Sequence, residues 1–442
     1  MEAISIKKRR NWKRHVRDHA YHVDALTSME EPYWVEALDK PFAIRFSMAE
    51  AGEIEDATCI LWDACIRAMD SFFEDESPGA VDKRLEQLKI RKEYWELIKN
   101  SWAKENPEEL ALASRFDFAV TDSGSIKCME INAETALLGC ETVYQWNWLE
   151  SYRSLFPRDL PGDTTQSNDY WDLIGIQWRK IVEEYDIWTH GISFLVDERL
   201  EEDREYALQL IQILHDEVDP DIFGQIVTLR DDYADDETLI QRGIAFSTED
   251  GFVDHSNDRI PVLWKMYDWS DFQNDMANDR STDEFAEMLG TGMTKVIEPL
   301  WKQVLSNKGF LCWLWKTQQD TEARKYLLPT YFEGDTSPGA TALLVSSYVR
   351  KPILGLEGVG VSINVLSGSM VSKPTLGYGA EGFVIQEYVE LPKAYGVWNY
   401  MVGSWSIDGD AGGIIIRGDR NMVTGRHCLI IPHVVTDGVF TK

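Results

Sequence analysis

Three residues that could hold a metal ion, and an arginine beside them, are encoded in the stretch "RFDFAVTDSGSIKCMEIN", which begins at Arg115 and ends at Asn132. Alternation on both sides of a turn predicts a β-hairpin, and the glycine suggests a two-residue turn at positions 123–124. That register places Asp117 opposite Glu130 and Arg115 opposite Asn132. Two carboxylates and an amide suit Mg²⁺, and the arginine beside them could neutralise a transferred phosphoryl group. The alternative is a surface hairpin with an ordinary polar face.

The same register gives the hairpin a second, apolar face. Period two predicts that five residues of this face join the core: Phe116, Phe118, Val120, Met129 and Ile131. Like charges directly opposite each other are unfavourable in a sheet. We therefore expect a cationic group between Asp117 and Glu130.

A lysine followed by glycines suggests a phosphate-binding loop in "SYVRKPILGLEGVGVSI". Lys351 is expected on a strand, and Gly355, Gly358 and Gly360 follow it. A lysine and backbone N–H groups can together cradle phosphates, although the spacing is neither a Walker A nor a Rossmann pattern. A glycine-rich hairpin with an ordinary surface lysine is the alternative.

Four further residues are weaker candidates when each is taken alone. Lys308 stands just before an apolar run, and Arg417 ends a buried strand in "GGIIIRGD", where a ligand contact and a structural salt bridge are equally plausible. Gln386 and Glu387 belong to the alternating stretch "FVIQEYVEL" and should face opposite ways. A strand edge of this kind could offer backbone groups and an amide to an adenine ring.

The composition limits the partners that the chain can bind. Its 442 residues are enough for two or three lobes, and a net charge of −31 argues against nucleic acid and anionic membranes. The same charge favours a cationic substrate, and an anionic one requires local lysine, arginine or metal. Six scattered cysteines without a CxxC pair indicate a reduced, cytoplasmic compartment. No apolar run approaches the length of a membrane span.

The order of elements predicts a mixed α/β protein. Ser47 and Glu50 form a capping box at the start of an amphipathic helix over 47–75, and residues 82–105 are interpreted as a second helix. The strand "GISFLVD" leads into an amphipathic helix, and this alternation indicates an α/β lobe. From about residue 340, glycine and β-branched residues predict largely antiparallel β structure.

Together these segments resemble the glutathionylspermidine synthase family, specifically its C-terminal synthetase part. The ordered series includes "RRNWKRHV", "EPYWVEAL", "RFDF…MEINAET", "WKMYDW", "IEPLWKQVLSNKGFL", "YVRKPILGLEGVGVSI", "FVIQEYV" and "GSWSIDGDAGGIIIRGD". The resemblance implies a multi-lobe, ATP-grasp-like ligase fold of the α+β or α/β class. It divides the chain into a mainly helical region 1–110, an α/β substrate- and metal-binding lobe 111–300 and a nucleotide-binding lobe 301–442.

The resemblance also implies roles for the candidate residues, which it assigns in four groups. Arg115 and Arg417 would stabilise the transition state of phosphoryl transfer; Asp117, Glu130 and Asn132 would bind Mg²⁺; Lys308, Lys351 and the mobile loop at Gly355 and Gly358 would contact ATP phosphates; Gln386 and Glu387 would lie near the adenine. The implied reaction joins a carboxylate to a cationic amine through an acyl phosphate. The resemblance does not extend to the family's amidase domain, so we expect no hydrolysis of the product.

Substrate choice is where the chain departs from the family pattern. In "NAETALLG", Thr135 remains but Ala136 and Leu137 replace small hydroxyl residues, so we expect poor use of glutathione and better use of another acid. Glu201, Glu202 and the next acid, Asp203, follow a buried strand and could bind the cationic amine. A helix start enriched in acids is the alternative.

A second function, of a different class, is a non-catalytic descendant that binds a nucleotide, a peptide or a polyamine. The presence of all the candidate catalytic and metal-binding residues argues against such a loss of activity.

Overall fold

Helices and five β-sheets build the part of the chain that can be described. The structure is a computed structural model that describes residues 1–17, 32–74, 77–103, 109–197, 200–229, 243–279, 282–366, 368, 370–372, 377–425 and 428–438. The expected mixture of α and β structure is confirmed. Among the helices within these ranges, none is both long enough and apolar enough to cross a bilayer.

Helices are prominent among the described residues of the N-terminal region, whose extent of 1–110 remains a prediction. The described helices are Trp12–Arg17, Met48–Phe73, Ala80–Gln87 and Trp95–Trp102, with 3₁₀ turns at Val35–Ala37 and Lys92–Tyr94. The capping box is confirmed, because the Ser47 hydroxyl accepts from the Glu50 N–H and the Glu50 carboxylate accepts from the Ser47 N–H. Strand Glu2–Ser5 pairs with Phe42–Phe46, which pairs on its other side with His433–Val435, near the other end of the chain.

The predicted single helix over 82–105 is wrong, because the chain turns after Gln87. Ile90 N–H donates to the Leu85 carbonyl, and Lys89 N–H donates to the Glu86 carbonyl. This pair of bonds is a Schellman motif, with Lys89 at a φ of 60° in the place that glycine usually takes. Leu85 and Ile90 are both buried, so their packing stabilises this helix end. The sequence has no glycine there that would have predicted it.

The central sheet holds the candidate site. Its strands, all antiparallel to their neighbours, are Leu429–Ile431, Asp410–Asp419, Trp398–Ile407, Ser114–Val120 and Ile126–Asn132 in spatial order, and Lys393–Ala394 pairs with Trp398–Ile407. The long helix Met48–Phe73 packs against two of these strands. The sheet thus joins strands from both sides of residue 300, and the boundaries at 110 and 300 remain predictions.

The turn of the site hairpin is one residue longer than predicted. Strands Ser114–Val120 and Ile126–Asn132 are joined so that the Thr121 N–H donates to the Ser125 carbonyl at 2.9 Å. Three residues remain in the turn, and Gly124 adopts a φ of 83° that suits glycine. The predicted two-residue turn is therefore wrong.

A β-bulge offsets this extra turn residue. The register shifts between Asp117 and Phe118, so Phe118 lies opposite Cys128 while Asp117 lies opposite Glu130. The predicted facing of the two carboxylates is therefore confirmed. The bulged residue Met129 lines a cavity, so its prediction as a core residue is wrong, and Cys128 takes the buried position.

A parallel sheet lies beside the central one. Its order is Lys295–Ile297, Val262–Lys265, Ile192–Leu195 and Gly224–Val227. The helices of this part of the chain are Gly139–Leu155, Tyr170–Glu184, Ile187–His190, Glu201–Glu217, Trp269–Asp279 and Thr282–Gly290. A small antiparallel sheet adds Ala245–Ser247, Gly251–Val253 and Arg259–Ile260. The α/β alternation predicted for this region is confirmed.

The third large sheet is antiparallel, as predicted for the C-terminal part. We call it the C-terminal sheet; its order is Thr330–Phe332, Phe383–Glu387, Tyr348–Pro352, Ser362–Asn364 and Met370–Ser372. Helices Lys302–Ser306, Phe310–Thr317 and Pro338–Leu344 and the 3₁₀ turn Glu322–Lys325 accompany it. Phe383–Glu387 is an interior strand, so the expectation that Gln386 lies at a strand edge is wrong.

Candidate active site

A cavity of about 600 Å³ is lined by residues of the central and C-terminal sheets and by segments that follow strands of the parallel sheet. The sequence-predicted residues on the lining are Arg115, Asp117, Glu130, Asn132, Thr135, Glu202, Asp203, Lys351, Gly358, Gln386, Glu387 and Arg417. Lys308 and Gly355 lie just behind them, and Glu201 is not on the lining. Residues that are distant in sequence therefore converge on one site.

Asp117 is the centre of the charged network at one end of the cavity. Its carboxylate accepts hydrogen bonds from Arg115 Nε at 2.9 Å, Arg417 Nη2 at 2.5 Å and Asn132 Nδ2 at 3.1 Å. Burial disfavours its charge, but the two guanidinium groups prevail and lower the pKa of Asp117 to about 2. Asp117 is therefore ionised at neutral pH and holds both arginines in place.

Glu130 is neutralised by a lysine from another element. Lys308 Nζ lies 2.7 Å from Glu130 Oε1 and donates at 2.6 Å to the carbonyl of Gly355. Burial opposes ionisation, yet Lys308 and Lys351 lower the pKa of Glu130 below its usual value. Lys308 thus connects the carboxylate to the glycine-bearing loop.

Lys351 is buried beside these groups. Its ammonium donates to the Met129 carbonyl at 2.8 Å and to the Gln386 amide oxygen at 2.7 Å. Burial is the largest influence and lowers the pKa of Lys351 to about 8, although Glu130 partly counteracts it. The Gln386 side chain therefore positions this lysine, and its own NH₂ group donates to the Thr330 hydroxyl.

At this end of the cavity the local charge is positive, whereas the net charge of the chain is negative. We call the four cations around Asp117 and Glu130 the cationic cluster: Arg115, Lys308, Lys351 and Arg417. Four positive charges surround two carboxylates in a protein of net charge −31. The surplus of two positive charges makes this end suitable for phosphate or carboxylate groups.

The donor set also suits a magnesium ion that shares its coordination with phosphates. Two carboxylates and a carboxamide are hard oxygen donors of the kind that Mg²⁺ takes. Within the described ranges, no three His, Cys, Asp or Glu side chains group as a metal site. Asp117 and Glu130 are instead engaged by the cationic cluster, whose long side chains would have to give up part of this coordination to an ion.

Another part of the cavity lining is acidic. We call six lining residues the acidic wall: Asp197, Glu202, Asp203, Asp268, Asp271 and Asp275. They follow the carboxyl ends of two adjacent parallel strands, Ile192–Leu195 and Val262–Lys265. Of the predicted amine-binding acids, Glu202 and Asp203 belong to this wall.

Mutual repulsion among its carboxylates makes the acidic wall suitable for binding a positively charged group. Solvent reaches the Asp271 carboxyl within the cavity, yet burial by the surrounding walls and the neighbouring Asp268 and Asp275 raise its pKa to about 7. Asp268, Asp271 and Asp275 recur at i, i+3 and i+7, the spacing of one helix face. Our sequence reasoning missed this pattern, which starts directly after the strand Val262–Lys265.

Glu134 connects the two ends and was also missed. It lies two residues after Asn132, and its Oε2 accepts from the Trp269 N–H at 2.7 Å, where the helix Trp269–Asp279 begins. Lys265 Nζ lies 3.3 Å from the same oxygen. Burial raises the pKa of Glu134 to about 7 even though Lys265 opposes this. One carboxyl group therefore fixes the helix that carries Asp271 to the hairpin that carries Asp117.

The loop that contains Gly355 and Gly358, which we call the glycine loop, borders the cavity, and so do residues near Arg115. Gly358 has a φ of 74°, and a Cβ at this position would lie 2.7 Å from the Thr424 carbonyl oxygen. A side chain is therefore excluded by both backbone conformation and space. Thr135, Leu137 and Leu138 line the cavity near Arg115.

Comparison with known proteins gives one family. Residues 3–436 match the model described as glutathionylspermidine synthase preATP-grasp. A protein of Haemophilus influenzae, named provisionally as an acid–amine ligase, is 30% identical over 414 residues, which cover 91% of this chain and 90% of that protein.

Two further relatives are larger proteins. Trypanothione synthetase of Crithidia fasciculata is 26% identical, with 78% of this chain and 50% of that protein covered. The bifunctional glutathionylspermidine synthetase/amidase of Escherichia coli is 23% identical, with coverages of 88% and 59%. The chain thus spans about half to three fifths of these two relatives.

Among solved structures, a glutathione synthetase-like effector from Globodera pallida aligns with a TM-score of 0.45 and 13% identity over 88% of each chain. The family assignment depends on the sequence matches, one across almost the whole chain and one to a relative of nearly equal length. The chain belongs to the glutathionylspermidine synthase preATP-grasp family.

Proposed function

We propose that this protein is an ATP-dependent carboxylate–amine ligase that forms an amide bond through an acyl phosphate, on an ATP-grasp-like fold. The observation that carries the proposal is that one cavity is lined both by residues of the cationic cluster and by the acidic wall. A ligase of this class must hold two anions, ATP and an acid, close to a cationic amine. A single site with opposite charges at its ends meets that requirement.

In the first step a carboxylate oxygen of the acid attacks the γ-phosphorus of ATP, the β–γ bridging P–O bond breaks, and ADP leaves. Arg115 and Arg417 flank the position where charge builds up, while Lys308 and Lys351 contact the phosphates. Asp117, Glu130 and Asn132 would hold Mg²⁺, whose charge would offset that of the ATP phosphates. The enzyme mainly positions the reactants and neutralises charge.

In the second step the neutral amine attacks the carbonyl carbon of the acyl phosphate. The C–O bond to phosphate breaks, inorganic phosphate leaves with one oxygen of the acid, and the nitrogen releases its proton to solvent. The acidic wall binds the remaining positive charge of the amine and so aligns its nitrogen with the carbonyl group. Phosphorylation is required because a carboxylate itself is a poor electrophile.

The remaining residues would bind the nucleotide and cover it. Gln386 and Glu387 lie on the lining near the apolar residues Leu328, Val349 and Ile363, which suit an adenine ring. Gly355 and Gly358 belong to the loop that Lys308 contacts, and this loop would close over the phosphates. The acid would lie beside Arg115 and Thr135.

The proposal is tested by a screen for ADP release over pairs of acids and amines. Amino acids, dipeptides and glutathione are each combined with spermidine, other polyamines or a monoamine, and ADP and product mass are measured. We expect ADP only when both an acid and a cationic amine are present, with one amide formed per ADP. If the protein binds ATP but no pair releases ADP, the non-catalytic alternative is favoured.

A further inference from the structure

We infer that the acid substrate has an apolar group next to its reacting carboxylate and no second carboxylate there; this rests on the proposed function, which places the reacting carboxylate at Arg115. The inference comes from three apolar residues of the cavity lining, one of which is held beside Arg115. We call these residues the apolar strip: Leu137, Leu138 and Met266.

The apolar strip begins at Arg115 itself. The Arg115 Nη1 group donates to the backbone carbonyl of Leu137, so this leucine is fixed beside the guanidinium that would bind the reacting carboxylate. Leu137 and Leu138 line the cavity and pack on one apolar cluster that contains Met266. The first side chain that an acid meets beyond its carboxylate is therefore apolar.

The apolar strip ends at the acidic wall. Met266 also lines the cavity and stands two residues before Asp268. When the carboxylate of the acid is at Arg115, its carbon is also the carbon that the amine attacks, so the amine held by the acidic wall must reach Arg115. The substituent next to that carboxylate lies beside Leu137, and Leu138 and Met266 add apolar surface to the same lining.

A second carboxylate would be poorly accommodated on this strip. Among the lining residues that the structure describes, the lysines and arginines are Arg115, Lys351 and Arg417, and all three belong to the cationic cluster. A carboxylate at the strip would face the acidic wall and lack charged donors. Each missing hydrogen bond to a charged group lowers affinity roughly tenfold or more.

Three dipeptides test the inference without requiring turnover: glycyl-leucine, glycyl-aspartate and glycyl-glycine. The branched side chains of leucine and aspartate have similar shapes, so the first two differ mainly in charge next to the reacting carboxylate. Binding is measured by isothermal titration calorimetry to the protein saturated with a non-hydrolysable ATP analogue and Mg²⁺. We expect glycyl-leucine to bind at least about tenfold more tightly than either other peptide.

A charge substitution should reverse the preference. Leu137→Arg supplies a cation at the strip and should tighten glycyl-aspartate binding about tenfold while weakening glycyl-leucine, and Leu137→Ser should weaken glycyl-leucine alone. Ile176→Arg, on an exposed residue that is not part of the lining, is the matched control and should change neither affinity. Melting temperatures confirm that each variant is folded.

Equal or tighter binding of glycyl-aspartate or glycyl-glycine by the wild-type protein would overturn the inference. ADP release on adding spermidine is measured in the same samples and tests the proposed function separately. A preference for glycyl-leucine without ADP release would support the apolar strip and contradict the ligase. ADP release that is as efficient with glycyl-aspartate as with glycyl-leucine would support the ligase and contradict the apolar strip.

Discussion

The two ends of the cavity differ in how their residues are brought together. At the cationic end, the carboxylates of one hairpin bind Arg115 of the same hairpin and Arg417 and Lys308 from other parts of the chain, at distances of 2.5 to 2.9 Å. At the acidic end, like charges follow two strands and one helix, and burial together with Asp268 and Asp275 raises the pKa of Asp271. The cationic end is therefore held by ion pairs within the protein, whereas we expect a cationic ligand to stabilise the acidic end.

The largest expected effect is at the cationic end. Asp117→Asn removes the charge that holds Arg115 and Arg417, so turnover should fall at least about a hundredfold, the typical loss for a group that stabilises the transition state. Asp408→Asn, which alters an exposed ion pair with Lys180, should leave turnover unchanged. ADP release and the melting temperature are measured for both. Wild-type turnover by a folded Asp117→Asn protein would rule out its proposed role.

The acidic end should give a smaller and more selective effect. The double substitution Asp268→Asn/Asp271→Asn removes two charges that the amine would neutralise, so KM for spermidine should rise roughly tenfold to a hundredfold. KM for ATP should stay constant, because the cationic cluster is untouched. Asp320→Asn, at an exposed position off the lining, is the control. An equal rise in both KM values would contradict the separation of the two ends.

The pH dependence sharpens the comparison. The pKa of Lys351 is lowered to about 8, so its ammonium loses the proton as pH rises through 8, and kcat/KM for ATP should decline there. Lys351→Arg keeps its charge throughout this range, so the decline should disappear even if overall activity is lower. A decline near pH 8 that survives in the arginine variant would exclude Lys351 as its cause.

The smallest effect concerns the glycine loop. Its contact with the cationic cluster, Lys308 to the Gly355 carbonyl, should become part of a closed state when nucleotide binds. ATP with Mg²⁺ should then protect residues 353–362 from limited proteolysis several-fold. Equal cleavage with and without nucleotide, detected by mass spectrometry of the fragments, would contradict closure of this loop.

The sequence predicted the cationic end better than the acidic end, because a hairpin is a local structure. Even there, the real hairpin differs from the predicted one in two ways, a longer turn and a bulge at Met129. Asp117 and Glu130 still face each other because these two differences offset each other. Period two does not reveal a bulge, since the extra residue depends on packing against both faces of the sheet.

The acidic wall could not be assembled from local patterns. Asp203 and Asp268 are 65 positions apart and approach each other only because two parallel strands are neighbours in the sheet. Similarly, the interior position of Phe383–Glu387 depends on Thr330–Phe332 as a partner strand. Such pairings are non-local, and one sequence contains little information about them.

The central claim is that a carboxylate is activated by ATP as an acyl phosphate in this cavity. The most direct measurement uses glycyl-leucine labelled with ¹⁸O in its carboxylate, together with ATP and spermidine, and follows the label by mass spectrometry. The account predicts one ¹⁸O atom in each inorganic phosphate released, with ADP as the nucleotide product. Label in AMP, or amide formation with unlabelled phosphate, would contradict it.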